Sequence, residues 1–364
     1  MHEGEIITVE ATELVAGGDA LARIDGFPVF TSGIFPGDVA RVRLYEVKKG
    51  FAKADLVELT KPSSWRRAAP CPIANECGGC DWTALRLDKQ LEAKRRILSE
   101  SLRRIGKFDV AALPEIALHP SPLNYRLRSR LHRDGDAVGF YAMRSNRVVP
   151  LVEECEVVGV QTARTPFEGE QWELGGAVIP DERELTITVE GFTYHLHTRA
   201  FFQVNRHLLG TLLRLVSGHA AGVRNRGSAV DLYAGVGFFT LPIAKLFDQV
   251  TMIEGSAVSV HYARRNVPPN VKVVDAPVER QIEKLAPADF VFLDPPRAGA
   301  RREVITAIGE KTREVISFLS CDPVTFARDA NRLVAAGWKL ASLDLLDLFP
   351  NTHHVETLGR FERR

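Results

Sequence analysis

Three of the five cysteines in this 364-residue chain fall within ten positions, in AAPCPIANECGGCDW (68–82), as Cys71, Cys77 and Cys80. Thiols at that density make disulfides, bind metal or form a reaction centre. The N-terminal MHEGEIITVEATEL lacks a basic-then-apolar signal pattern, and no run of 18 apolar residues occurs. The expectation is a soluble, cytoplasmic protein with no membrane partner. Thiols stay reduced there, so metal or catalysis is favoured over disulfides. Cys321, in FLSCDPVTFARD, stands apart, at the carboxyl end of an expected strand and just ahead of a helix. That place aims a thiol at a ligand crevice, where a helix N-terminus lowers its pKa. A buried core thiol is the plainer alternative. DLFPNTHHVET adds His353, His354 and Glu356. Spacing alone leaves metal cluster, base and solvated loop open for these.

A second constellation is acidic. DLYAGVGFFT sets Asp231 at a strand end, then Gly235 and Gly237 in the turn that opens a helix. Glycines let the backbone approach a ligand there, and the helix N-terminus favours polar groups. A dinucleotide fingerprint wants a third glycine where Thr240 stands. Glu254, Asp275 and Asp294 end the next three expected strands. A carboxylate at Glu254 can accept both ribose hydroxyls. S-adenosylmethionine fits such a set better than NAD, having no pyrophosphate for the acids to repel. Helix capping is the plain alternative.

The elements that must position these residues fall into three parts. Residues 1–62 alternate apolar and polar residues between GGD, PGD and KKG turns, which predicts a small OB-like barrel. Such barrels often bind single-stranded nucleic acid. Residues 63–198 hold the cysteine cluster and a helix in LDKQLEAKRRILSESLRRIG, with Leu91, Ile97, Leu98, Leu102 and Ile105 expected on one side. Within residues 199–364, from about residue 227, strands alternate with helices such as FFTLPIAKLF and AVSVHYARRN, an α/β unit with a largely parallel sheet and a ligand site beyond its strand ends. Charge is uneven along the chain. Between Arg41 and Arg147 there are 22 Lys/Arg against 12 Asp/Glu, although the whole chain carries only +1. A polyanionic partner suits that asymmetry, and a merely solvated surface is equally compatible.

DLYAGVGFF, LDPPRAG, SCDPVTFARD and FPNTHHVET, with FFQVN (201–205) ahead of them, resemble the RNA 5-methyluridine methyltransferase family. The first 60 residues resemble a TRAM domain, an RNA-binding barrel. The resemblance implies a multidomain α/β protein: TRAM barrel, central α+β domain and Rossmann-like class I methyltransferase domain. It implies a monomer acting with S-adenosyl-L-methionine on RNA, ribosomal in the branch that carries the cysteines. Cys321 is then the nucleophile and Glu356 the base. Gln203, Asp231, Tyr233, Gly235, Gly237, Phe238, Glu254, Asp275 and Asp294 belong to the cofactor site. Phe201, Phe202, Asp294 and Arg297 belong to the uracil site. Cys71, Cys77, Cys80 and Cys155 resemble the family's 4Fe-4S ligands, zinc being the rival. Asp322 stands where many relatives have Asn, adding a charge beside the thiol. The competing functions are a 5-methylcytosine enzyme, a transfer-RNA uracil enzyme and a non-catalytic RNA-binding protein.

Overall fold

The computed structural model describes residues 1–180 and 182–363. Strands β1 (Ile6–Leu14), β2 (Ala20–Ile24), β3 (Phe27–Thr31), β4 (Val39–Val47) and β5 (Ala52–Lys61) close into a barrel in the order β1-β2-β3-β5-β4. Closure follows from the alternation: Val9 and Ala11 of β1 and Ala40, Val42 and Leu44 of β4 all point into one core. The barrel is pinned to the following segment by Asp38, which is fully buried. Its carboxylate accepts from Phe35 N (2.7 Å), Ser63 N (2.7 Å) and Arg66 Nε (2.9 Å).

Helix α1 (Leu87–Arg104) buries Ala93, Ile97, Leu98 and Leu102, as its periodicity predicts. Two details differ from expectation. Ile105 lies past the helix end and is exposed, because the chain turns away there. Lys94 and Gln90, both fully buried, share the inward face. Lys94 Nζ donates to Asp347 Oδ1 (2.6 Å) and to the Phe349 carbonyl (3.0 Å), so a charge enters the core only with its partner.

The central region builds β6 (Ile116–His119), β7 (Arg128–Asp134), β8 (Ala137–Tyr141), β9 (Val148–Pro150), α2 (Val160–Arg164), β10 (Gly169–Leu174) and β11 (Ala177–Ile179). All these strands except β6 form one sheet, ordered β11-β10-β7-β8-β9. A hairpin of β12 (Glu184–Val189) and β13 (Phe192–His197) follows.

The last part contains α3 (Leu209–Ala221), β14 (Ser228–Leu232), α4 (Thr240–Ala244), β15 (Gln249–Glu254), α5 (Ala257–Asn266), β16 (Val271–Asp275), α6 (Val278–Gln281), β17 (Ala288–Leu293), α7 (Arg302–Lys311), β18 (Thr312–Ser320), α8 (Pro323–Ala335), β19 (Trp338–Leu346) and β20 (Glu356–Arg363). Its sheet runs β16-β15-β14-β17-β18-β20-β19-β6. The first five strands in that order are parallel, and β20 inserts antiparallel between β18 and β19. The edge strand β6 comes from residues 116–119 and pairs parallel with β19. The expected division at 198/199 therefore does not divide the sheet, since the central region supplies its last strand. One continuous core joins barrel, α1, α7, α8 and one face of the sheet; the other face packs on α3 and an aromatic group from β12–β13.

The Lys94–Asp347 pair is a buried ionic tie between α1 and the segment ahead of β20. Lys94→Ala leaves a buried carboxylate without its counter-charge and should destabilise the protein by about 3 kcal/mol. The shift in urea midpoint measures it.

Candidate functional site

The strand register brings the chemistry together. Ser320 lies opposite Thr357 in the antiparallel β18–β20 pair, and one further step sets Cys321 beside Glu356. Glu356 begins β20 and is 4% exposed, whereas Cys321 is half-buried. Asp294, just past the end of the neighbouring strand β17, completes an acidic group, and Arg297 of the same loop answers it. Burial, then Glu356 and Asp294, push the Cys321 thiol up to about 12, while Arg297 pulls it back. Burial and the neighbouring Asp294 carry Glu356 well above the usual carboxylate range, and Arg297 again opposes. Asp294 is raised to about 7 by burial, against the hydrogen bond from Gln203 Nε2 (3.1 Å). Two carboxyls and a thiol at close quarters resist being ionised together, which favours their protonated forms.

This corrects the expectation that the α8 N-terminus lowers the Cys321 pKa. Asp322 occupies that N-terminus as its cap, accepting from Val324 N (3.0 Å) and Thr325 N (2.7 Å). The first helix amides are spent on the cap, and after burial the leading acids that raise the thiol are Glu356 and Asp294.

His354 fixes Arg297. The arginine Nη2 donates to His354 Nε2 at 3.0 Å. Burial, reinforced by the adjoining positive groups, drives the His354 pKa down to about 3. The imidazole is therefore neutral and can accept. Among the described residues, His353, His354 and Glu356 do not converge as a metal-ligand group; His353 turns to Asp81, its ring Nδ1 lying 2.6 Å from Oδ2.

Around the glycine turn, Asp231 is fully buried on β14, with Oδ2 accepting from the Thr240 hydroxyl. Its Oδ1 has no protein partner, and burial raises its pKa to about 8. Thr240, where a dinucleotide loop has its third glycine, gives its hydroxyl to Asp231. Tyr233 takes a left-handed conformation (φ 61°) and donates its hydroxyl to Glu279 (2.9 Å). Glu254 ends β15 and accepts from Gly235 N (2.8 Å) and Ser256 N (2.7 Å), tying the turn to the next strand. Asp275 lies opposite Glu254 at the end of β16, exposed, 3.5 Å from Arg264. An orphaned buried carboxylate oxygen and glycine backbone at positive φ (Gly235 56°, Gly237 89°) fit a polar ligand held against this turn.

The two adjacent phenylalanines part company. Phe201 is 62% exposed, whereas Phe202 is buried among Trp172, Tyr194 and Phe238. Phe202 is thus core and cannot stack on a substrate, a correction to its expected role. Phe238 belongs to the same aromatic group and offers its carbonyl to Tyr194 Oη (2.9 Å).

Cys71, Cys77, Cys80 and Cys155 line one pocket with Phe140, Leu151 and Val157. All four are free thiols, and burial raises Cys71 and Cys77 and takes Cys80 to about 12. Among the described residues, no three His, Cys, Asp or Glu side chains converge as a single-ion site. Four thiols lining one cavity are a donor set whose chemistry suits either zinc or an iron–sulfur cluster. Arg126 reaches into this region, donating to the Gly79 carbonyl (3.1 Å) with its guanidinium 5.0 Å from the Phe140 ring centroid.

Sequence reasoning passed over Asn351, Gln90, Asp81 and Glu156. Asn351 is fully buried at φ 66° and bonds to the other three and to Arg67. The Pro-Asn step after Phe349 is the only local signal, and it announces a turn rather than a hub.

The family described as tRNA (Uracil-5-)-methyltransferase matches residues 179–283 and 281–364, and the TRAM domain matches residues 2–57. An uncharacterized RNA methyltransferase of Corynebacterium efficiens is 32% identical over 100% of this chain and 96% of its own. The 23S rRNA (uracil(1939)-C(5))-methyltransferase RlmD of Photorhabdus laumondii is 30% identical over 98% and 97%. The fold matches that of the Pyrococcus abyssi tRNA (uracil-54, C5)-methyltransferase, solved in complex with S-adenosyl-L-homocysteine, with a TM-score of 0.73, 24% identity and coverage of 97% and 99%. No described helix is long and apolar enough to cross a membrane. The chain belongs to the S-adenosylmethionine-dependent RNA uracil-C5 methyltransferase family, with a TRAM domain at its N-terminal end.

Proposed function

We propose that this enzyme methylates carbon 5 of a uridine in 23S ribosomal RNA through a covalent adduct on Cys321. The observation that carries the chemistry is the meeting of Cys321, Glu356, Asp294 and Arg297 at the ends of β18, β20 and β17. The full-length likeness to the Photorhabdus laumondii enzyme supports the ribosomal target. Carbon 5 of uracil is a weak nucleophile. Attack of the Cys321 thiolate on carbon 6 pushes electrons through the ring toward carbon 5. S-adenosylmethionine supplies the methyl group that carbon 5 then takes. Glu356 removes the proton left on carbon 5, and elimination returns the thiol and restores the ring. Arg297 favours the anionic forms that this sequence needs. Gln203, Asp231, Tyr233, Gly235, Gly237, Phe238, Glu254, Asp275 and Asp294 form the cofactor site, with Phe238 contributing backbone and shape. Phe201, Asp294 and Arg297 face the uracil. Extruding the base costs least in single-stranded or loop RNA, and the exposed Phe201 ring offers a stacking face.

The cysteine pocket is assigned to a 4Fe-4S cluster on Cys71, Cys77, Cys80 and Cys155. Four thiols lining one cavity suit either a cluster or zinc, and the resemblance of the Cys71-x5-Cys77-x2-Cys80 arrangement with Cys155 to the family's iron–sulfur ligands supports the cluster. A cluster supplies no chemistry to the methyl transfer above, so its contribution here is structural.

Four measurements test this reading. Cys321→Ala should abolish transfer from labelled S-adenosylmethionine to total RNA of a deletion strain while keeping S-adenosylhomocysteine binding. Glu356→Gln should instead accumulate a protein–RNA adduct, visible as a slow band in a denaturing gel; full turnover by either variant sinks the mechanism. Because acids hold the Cys321 thiol protonated, bound S-adenosylmethionine, with its sulfonium charge, should speed alkylation of Cys321 relative to bound S-adenosylhomocysteine; peptide mass spectrometry reads the difference. Anaerobically purified protein should contain iron by metal analysis, and Cys155→Ser should lose it, whereas zinc in the parent protein would overturn the cluster.

A further inference from the structure

The cysteine loop and the reaction centre lie in different parts of the chain, yet a short polar path joins them. Asp81 directly follows Cys80. Its Oδ1 accepts from His353 N (3.1 Å), and Oδ2 lies 2.6 Å from His353 Nδ1. The backbone bonds run the same way, with Asp81 N and Trp82 N both donating to the Asn351 carbonyl (3.2 and 3.0 Å). His353 and His354 are consecutive, with ring centroids 4.3 Å apart. His354 in turn accepts from Arg297 (3.0 Å), and two residues later the chain reaches Glu356.

A third segment closes over this pair. Gly18, in the β1–β2 turn of the barrel, has φ 93°, and a Cβ there would come within 2.6 Å of Asp81 Oδ2 and 2.9 Å of His353. The Gly18 carbonyl accepts from Trp82 Nε1 (3.2 Å). Barrel, cysteine loop and histidine turn thus meet at one carboxylate. Surface ion pairs ordinarily matter little, but this one also satisfies a backbone N–H in the turn that leads to the base.

We propose that Asp81 is a positioning residue for catalysis: by holding His353 it sets His354, and through His354 it sets Arg297 over Cys321 and Glu356. The cysteine loop thereby fixes the geometry of the reaction centre from outside it, touching neither RNA nor cofactor. The inference rests on the assignment of Cys321 and Glu356 made above.

The test uses the full-length protein with Asp81→Ala, His353→Ala, the double variant and Asp81→Asn, total RNA of a deletion strain as substrate, and Cys321→Ala as control. Asp81→Ala should lower kcat by about tenfold or more, the scale of a small misplacement in a reaction centre, with S-adenosylhomocysteine affinity unchanged. His353→Ala should match it, and the double variant should be no worse than either single, the mark of one shared interaction. Asp81→Asn, which keeps an acceptor for His353 N–H, should recover part of the loss. Alkylation of Cys321 should slow in Asp81→Ala as Arg297 moves away, a change that general destabilisation does not produce. Parental kcat and alkylation in Asp81→Ala, or losses that add in the double variant, overturn the proposal. Loss of S-adenosylhomocysteine binding in Asp81→Ala overturns it too, because the effect is then not confined to the Arg297 side. An active Cys321→Ala overturns the catalytic assignment instead, which keeps the two failures apart.

Discussion

Asn351 is the point on which the arrangement hangs. Its backbone is left-handed (φ 66°), and it is fully buried. Its amide accepts from Arg67 Nη2 (3.0 Å) and Gln90 Nε2 (3.0 Å) and donates to Glu156 Oε2 (3.0 Å). Its own N–H reaches Gln90 Oε1 (2.7 Å), and its carbonyl takes the amides of Asp81 and Trp82. Four separate segments are thereby tied to one turn: the post-barrel linker, the cysteine loop, α1 and the residue after Cys155. Few side chains meet every requirement. Asn tolerates the left-handed region better than most residues, and only an amide both donates and accepts at that length. Asp would set a second carboxylate against Glu156, and Ala would orphan several buried partners, each at a cost of about 1–3 kcal/mol.

The fixed turn explains why the neighbouring charges can be so unfavourable. Cys321, Glu356 and Asp294 crowd together with Arg297 as their nearby cation, an arrangement that favours protons on the acids and the thiol. Such groups relax apart unless the scaffold prevents it. Here β18 and β20 lock the first two in register, and the Asn351 turn feeds β20 at a set angle. Lys94 and Asn205 add to the hold: Lys94 bonds Asp347 and the Phe349 carbonyl, and Asn205 donates to the Leu348 carbonyl (2.9 Å). The FFQVN segment therefore helps to brace the same turn while its Gln203 touches Asp294.

Local patterns carried much of this in the sequence. Alternation announced the barrel, and the strand–helix texture after residue 227 announced the parallel sheet and its crevice, because both depend on neighbours within a few residues. Helix α5 falls on AVSVHYARRN as expected. What stayed hidden depends on long-range pairing. Nothing around IALH (116–119) tells that it completes a sheet more than a hundred residues away as β6. Lys94 and Gln90 look solvent-facing until Asp347 and Asn351 are brought to them. Phe201 and Phe202 are indistinguishable by type, and only the aromatic group under β12–β13 decides which one is buried. The helix expected over FFTLPIAKLF shortens to α4 because both phenylalanines are drawn into the turn as core.

The aspartate beside the nucleophile shows how a sequence argument about charge can fail on geometry. A carboxylate next to Cys321 ought to raise its pKa if it faces the thiol. At Asp322 the backbone is extended (φ −138°, ψ 117°), and the side chain folds back onto the first amides of α8. There it meets the positive end of the helix, where a carboxylate is stabilising. An Asn in its place also caps well but leaves that end uncompensated, so the exchange alters the field along α8 more than the thiol. The protonation of Cys321 is set first by burial, then across the crevice by Glu356 and Asp294 against Arg297. On the proposed chemistry a positively charged methyl donor tips that balance, and the thiol becomes a nucleophile only when there is something to methylate with.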